Sequence, residues 1–139
     1  MLIRSPFKIK LTGDKSLSNR DFSRIIEPLK KIGVNFYPKD KKTLPIFIKG
    51  SNYLRPIKYF EKRGSAQCKS SIMLASLLTP GRLEIIAKKS RNHTEIMFQN
   101  LKIPMVIKKK SKLDFITITK PSKIKSININ IPGDISSSA

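Results

Sequence analysis

The sequence has no tryptophan, one cysteine, one histidine and only 9 acidic residues against 29 Lys and Arg. Each scarcity narrows the function. The lone Cys68 excludes an internal disulfide and fits a reducing compartment. The lone His93, with no second histidine and no partner cysteine, argues against a metal site. Aromatic residues make up 7% of the chain, too few to suggest stacking platforms for single-stranded nucleic acid. No apolar run approaches about 18 residues, so no membrane-spanning helix is expected. The opening MLIRSPFKIKL alternates charge and apolarity and has no signal-peptide core. A cytoplasmic protein is expected. No dinucleotide, phosphate-loop, zinc-protease or nucleophile-elbow motif occurs.

What is present is a chain of 139 residues, 39% hydrophobic, enough for a folded domain with a modest core. The formal net charge is +20. Clustered cations suit phosphate backbones, and a basic surface also steers small anionic substrates. Here the lysines are spread along the sequence, with runs at 39–42 and 108–112 that read as solvated turns. Nucleic acid is therefore not the expected partner.

Strands are expected at residues 7–11, 44–49, 56–60, 83–87, 106–109, 115–119 and 127–131. A helix from Asp21 carries Phe22, Ile25, Ile26, Leu29 and Ile32 at helical spacing and stops at Gly33, with Pro28 as a kink or a late start. Residues 65–78 form the clearest helix. Its segment IMLASLL is apolar on nearly all sides, so it should be central and buried. Asn92 and Glu95 have the spacing of a capping box ahead of a short helix. The order repeats. Ser18-Asn19-Arg20 precedes a helix, a turn and a strand, and about 70 residues later Ser90-Arg91-Asn92 does the same. The fold class is α/β, built from repeated β-α-β-α-β-β units, roughly 1–63 joined to 64–139.

Three helix starts carry polar or cationic groups: Ser18-Asn19-Arg20, Ser65-Ala66-Gln67 with Lys69, and Ser90-Arg91. The free N–H groups and dipole of a helix N-terminus favour anions, and hydroxyls or guanidiniums add directed hydrogen bonds. The same residues also serve as ordinary caps. His93 beside Glu95 offers an acid or base. From the residues alone the chain reads as an α/β repeat protein with candidate sites for phosphorylated anions.

Specific strings go further. LTGDKSLSNRDFSRIIEPLKKIG (11–33) resembles the TGD-x-SL-x-x-R segment of the enolpyruvyl transferase family. LPIFIKG (44–50) and LRPIKY (54–59) resemble that family's next stretch, and GSAQCKSSIMLASLLTPG (64–81) is similar to its SAQ-x-KS helix. KSRNHTE (89–95) and IPGDISSSA (131–139) match two more segments, in order and across nearly the whole chain. The likeness is closer to the 3-phosphoshikimate 1-carboxyvinyltransferases than to the cell-wall enzymes that act on UDP-N-acetylglucosamine.

The resemblance implies two lobes of three units each, an inside-out α/β barrel-like arrangement with substrates between the lobes. This chain would supply about two units of one lobe. It implies the substrates shikimate 3-phosphate and phosphoenolpyruvate and no cofactor. By family role Arg20 would contact phosphoenolpyruvate and Gln67 both substrates. Ser65 and Ala66 would lie at the shikimate phosphate, with Ser90 and Arg91 nearby. Lys69 and His93 are further candidates. Ala66 stands where other members have a second serine, and His93 where some have tyrosine. The lysine-bearing N-terminal motif, the NAGT-type loop and the second lobe with its acidic residues are absent. The chain is expected to be inactive without the remainder. A non-catalytic basic module for polyanions and a UDP-N-acetylglucosamine enolpyruvyl transferase are the alternatives.

Overall fold

A computed structural model describes residues 2–128 and residue 130. The first sheet holds β1 (Lys8–Leu11), β2 (Asn35–Tyr37) and β3 (Ile46–Lys49) in the antiparallel order β1-β3-β2. Before β2 come a single turn, α1 (Lys15–Ser18), and a longer helix, α2 (Ser23–Ile32). The second sheet holds β4 (Lys58–Glu61), β5 (Arg82–Lys88), β6 (Met105–Lys109) and β7 (Leu113–Thr119) in the order β4-β5-β7-β6. Its β4 and β5 are parallel and its other pairs antiparallel. The parallel crossover is α3 (Ala66–Ser76), and α4 (His93–Asn100) joins β5 to β6.

The run β4-α3-β5-α4-β6-β7 is a complete β-α-β-α-β-β unit. In the first sheet, β1-α2-β2-β3 reproduces its last four elements with the same pairings. Ser18–Arg20 and Ser90–Asn92 thus occupy equivalent places, each just ahead of the helix that leads from β1 or β5 into a hairpin. The chain changes sheet between Lys49 and Lys58, ahead of the junction near residue 63 expected from the sequence. The expected strand at 127–131 and the GDISSSA turn lie partly or wholly outside the described residues.

Burial explains the elements. Along β5 the pattern alternates, with Leu83, Ile85 and Ala87 inward, as one face of a sheet against helices requires. Helix α2 presents Ile26, Leu29 and Ile32 to the core. Pro28 neither starts nor ends it; the ring sits on the buried side of a continuous helix. Gly33 stops it at φ 114°, where the backbone N–H reaches the Leu29 and Lys30 carbonyls and an added Cβ would meet the Tyr53 oxygen at 3.0 Å. Helix α3 is central, packed between α2 and the second sheet, with Ile72, Met73 and Ala75 wholly enclosed. Its buried side also takes Lys69 and Ser76, which a purely apolar helix did not lead one to expect. Among the described residues no helix is long and apolar enough to cross a membrane.

The capping box at α4 does not form. Asn92 occupies the N-cap position, but its side chain makes no cap hydrogen bond, and the Glu95 carboxylate is drawn inward to Lys69. A buried ammonium attracts a carboxylate more strongly than an exposed backbone N–H does.

Cys68, on α3, tests this packing. Burial, then the Glu61 carboxylate, pushes its thiol from 9.0 up to about 11. The folded state holds that proton more tightly than the unfolded chain. The group's stabilising contribution is therefore full below pH 9 and is lost as pH rises towards 11. Alkylation by iodoacetamide should be slower in the native than in the urea-unfolded chain at pH 8, with a native rate still climbing above pH 9. A native rate that levels off at pH 9 would mean an accessible thiol.

Candidate anion-binding cleft

The cleft forms where the N-terminal ends of α3 and α4 come together beside α2. The loop after β4 is bent by Glu61, which is 2% exposed. One carboxylate oxygen accepts the Arg63 N–H at 2.9 Å; the other accepts those of Gly64 at 2.7 Å and Ser65 at 3.0 Å. Gly64 takes the left-handed backbone, φ 70°, that this turn needs. Ser65 then caps α3: its Oγ accepts the Cys68 N–H at 3.2 Å, which leaves its own hydroxyl proton free to donate outward. The Ala66 and Gln67 N–H groups, in the first turn, have no intrahelical acceptor.

An open concavity of about 690 Å³ is lined by Arg24, Arg63, Gly64, Ser65, Ala66, Gln67, Ser90 and Arg91. It holds three guanidiniums and no carboxylate side chain. Ser90 lines it as a residue, while its Oγ is buried without a hydrogen-bond partner among the described residues. Arg63 leans towards α2, its Nη1 3.4 Å from Ser23 Oγ. Free amides, hydroxyls and guanidiniums around one void are the chemistry of phosphate and carboxylate recognition.

Of the residues singled out in the sequence, Ser65, Ala66, Gln67, Ser90 and Arg91 meet in this cleft. Arg20 does not line it; it is exposed between α1 and α2, beside Asp21. The Ser23 backbone N–H donates to Asp21 at 2.6 Å and holds that carboxyl below its ordinary value, which pins the turn that carries Arg20. His93 is exposed at the start of α4 and is not part of the lining. Lys69 is 0% exposed and does not reach the cleft. Its ammonium lies 2.5 Å from Glu95 Oε1, without hydrogen-bond alignment, and Glu95 Oε2 has no partner among the described residues. Beside that pair, Ser70 Oγ and Thr94 Oγ1, one residue after Lys69 and one before Glu95, share a hydrogen bond of 2.7 Å.

Arg24 and Arg63 were missed in the sequence. Arg24 lies in the first turn of α2, four residues after Arg20, and Arg63 two residues ahead of the Ser65 cap. The candidate stretches stopped at Ser18-Asn19-Arg20 ahead of one helix and began at Ser65 for the other, so both arginines fell outside them.

Residues 1–139 match the family model of EPSP synthase (3-phosphoshikimate 1-carboxyvinyltransferase). The chain belongs to the EPSP synthase family. The 3-phosphoshikimate 1-carboxyvinyltransferases of Streptococcus pyogenes serotypes M4 and M49 are each 38% identical over 141 residues, covering 100% of this chain and 32% of theirs. The EPSP synthase of Acinetobacter baumannii superimposes with a TM-score of 0.80 at 34% identity, over 99% of this chain and 30% of that one. A second structure of that enzyme gives 0.81. The chain thus spans about a third of the length of the relatives it matches, and its mixed α/β sheets form part of the enolpyruvyl transferase fold.

The ion pair behind the cleft gives a direct test. Lys69→Met leaves the Glu95 carboxylate buried and unpaired, and should cost about 3–5 kcal/mol in urea denaturation. Lys69→Met combined with Glu95→Leu should cost less than that single change. A single-variant cost within about 1 kcal/mol would mean a hydrated, surface-like pair.

Proposed function

We propose that this chain is the part of a shikimate-pathway enolpyruvyl transferase that holds the phosphate of shikimate 3-phosphate. One observation carries the reading: in a member of this family, three arginines, the first turn of α3 with its free amides, and two serines line one cleft that has no opposing carboxylate. Ser65, Ser90 and the Ala66 amide face the phosphate. Ala66 brings no hydroxyl, and Arg91 supplies that hydrogen bond instead. Gln67 reaches both substrates, and Arg20 contacts the carboxylate-bearing phosphoenolpyruvate from its exposed turn. The protein works in the cytoplasm on this reading.

The reaction is addition of the 5-hydroxyl of shikimate 3-phosphate to C2 of phosphoenolpyruvate as a proton joins C3. Phosphate then leaves C2 and a proton leaves the new methyl group, giving the enol ether. This cleft binds and orients anions and stabilises their charge. Proton transfer needs groups that the cleft does not contain. The chain supplies about two of the three units of one lobe, and its partners in turnover are the remaining unit and the second lobe.

Titration calorimetry of the 139-residue chain tests this. Shikimate 3-phosphate should bind and shikimate should not. Arg91→Ala should weaken binding about tenfold or more, the scale of one charge-assisted hydrogen bond. The chain alone should give no turnover. Salt-sensitive binding to unrelated DNA without any response to shikimate 3-phosphate would favour a polyanion-binding module. A preference for UDP-N-acetylglucosamine would favour the cell-wall reaction.

A further inference from the structure

Glu61 is an anion placed beside a cleft built for anions, and the charge alone opposes that use. Its surroundings resolve the conflict. Three successive backbone N–H groups, from Arg63, Gly64 and Ser65, converge on its two oxygens at 2.7–3.0 Å. Successive amides around a left-handed glycine form a concave nest that takes an anion. Here the chain fills that nest with its own carboxylate. The nest is closed to a ligand, and the loop is locked in one bend.

That bend has two consequences at the cleft. Ser65 N–H is tied to Glu61 while Ser65 Oγ caps Cys68, so the entry to α3 is fixed on both sides. Arg63 emerges from the pinned segment and crosses towards Ser23 on α2, 40 positions away in sequence, at the cleft wall that also carries Arg24. The guanidinium thus lines the same cleft as Ala66, which lacks a hydroxyl.

We infer that Glu61 is a positioning residue for anion binding and that it acts through Arg63, which is a further phosphate-contacting residue of this cleft. The inference rests on the function proposed above. It adds that the internal carboxylate fills the loop's amide nest so that the ligand phosphate is met by side chains and by the first turn of α3, not by the loop.

The test is shikimate 3-phosphate affinity of the full 139-residue chain by calorimetry, for Glu61→Gln, Arg63→Ala, Arg91→Ala and the two doubles that contain Glu61→Gln. Glu61→Gln and Arg63→Ala should each weaken binding about tenfold, and their double should be no weaker than the worse single. With Arg91→Ala, which sits on a different element, Glu61→Gln should be additive. A purely structural loss would not produce that contrast. Unchanged or tighter binding by Glu61→Gln would overturn the inference, as would additivity with Arg63→Ala. Arg63 is exposed, so Arg63→Ala should fold even if Glu61→Gln does not, and unchanged affinity in Arg63→Ala overturns the inference alone. Failure of the unaltered chain to bind overturns the functional reading and this inference together; the other failures leave the functional reading standing.

Discussion

The ion pair between Lys69 and Glu95, 2.5 Å apart and shut away from water, ties α3 to α4 one turn behind their N-terminal ends. The Ser70–Thr94 hydrogen bond ties the neighbouring residues of the same two helices. Two polar links in register allow one alignment of the helices and penalise a slip by leaving charges buried alone. Ser65–Gln67 and Ser90–Arg91 face each other across a cleft because of this alignment. Such a pair contributes little net stability compared with apolar packing of the same volume. Its consequence is geometric: binding groups from two distant segments are held at fixed separation.

Electrostatics act at two ranges. The +20 formal charge raises the concentration of any anion near the surface and is screened beyond about 8–10 Å at ordinary salt. The lysines at 108–110 and Lys112 are exposed and contribute at this range only. On the proposed function, selection within the cleft comes from directed donors: the α3 amides, the two serines and the three guanidiniums. On that reading the basic excess serves attraction and the helix starts recognition, so the charge by itself does not point to nucleic acid.

Apart from the short β2, Asn35–Tyr37, which was not expected, the described strands and the long helices could be read from the sequence because their signals are local. Alternation at Leu83, Ile85 and Ala87, the helical spacing of Ile26, Leu29 and Ile32, and the left-handed stop at Gly33 each need only a few neighbouring residues. Five of the cleft residues were legible because a helix start announces itself. Glu61 was not, since its role depends on a loop bend, and a carboxylate reads as solvated until its three amide partners are seen. Lys69 and Glu95 were misjudged for the same reason. One was taken as a cation at a helix start and the other as half of a capping box, whereas each is the buried partner of the other. Pairings between residues 26 positions apart leave no periodic trace.

The most direct measurement is a titration of the isotopically labelled chain with shikimate 3-phosphate, followed by backbone amide chemical shifts, with shikimate as the control. The expected result is a saturable set of shifts confined to Arg63–Gln67 and Ser90–Arg91 that requires the phosphate. Shifts spread over the lysine turns at 39–42 and 108–112, or none at the start of α3, would contradict the cleft as the binding site.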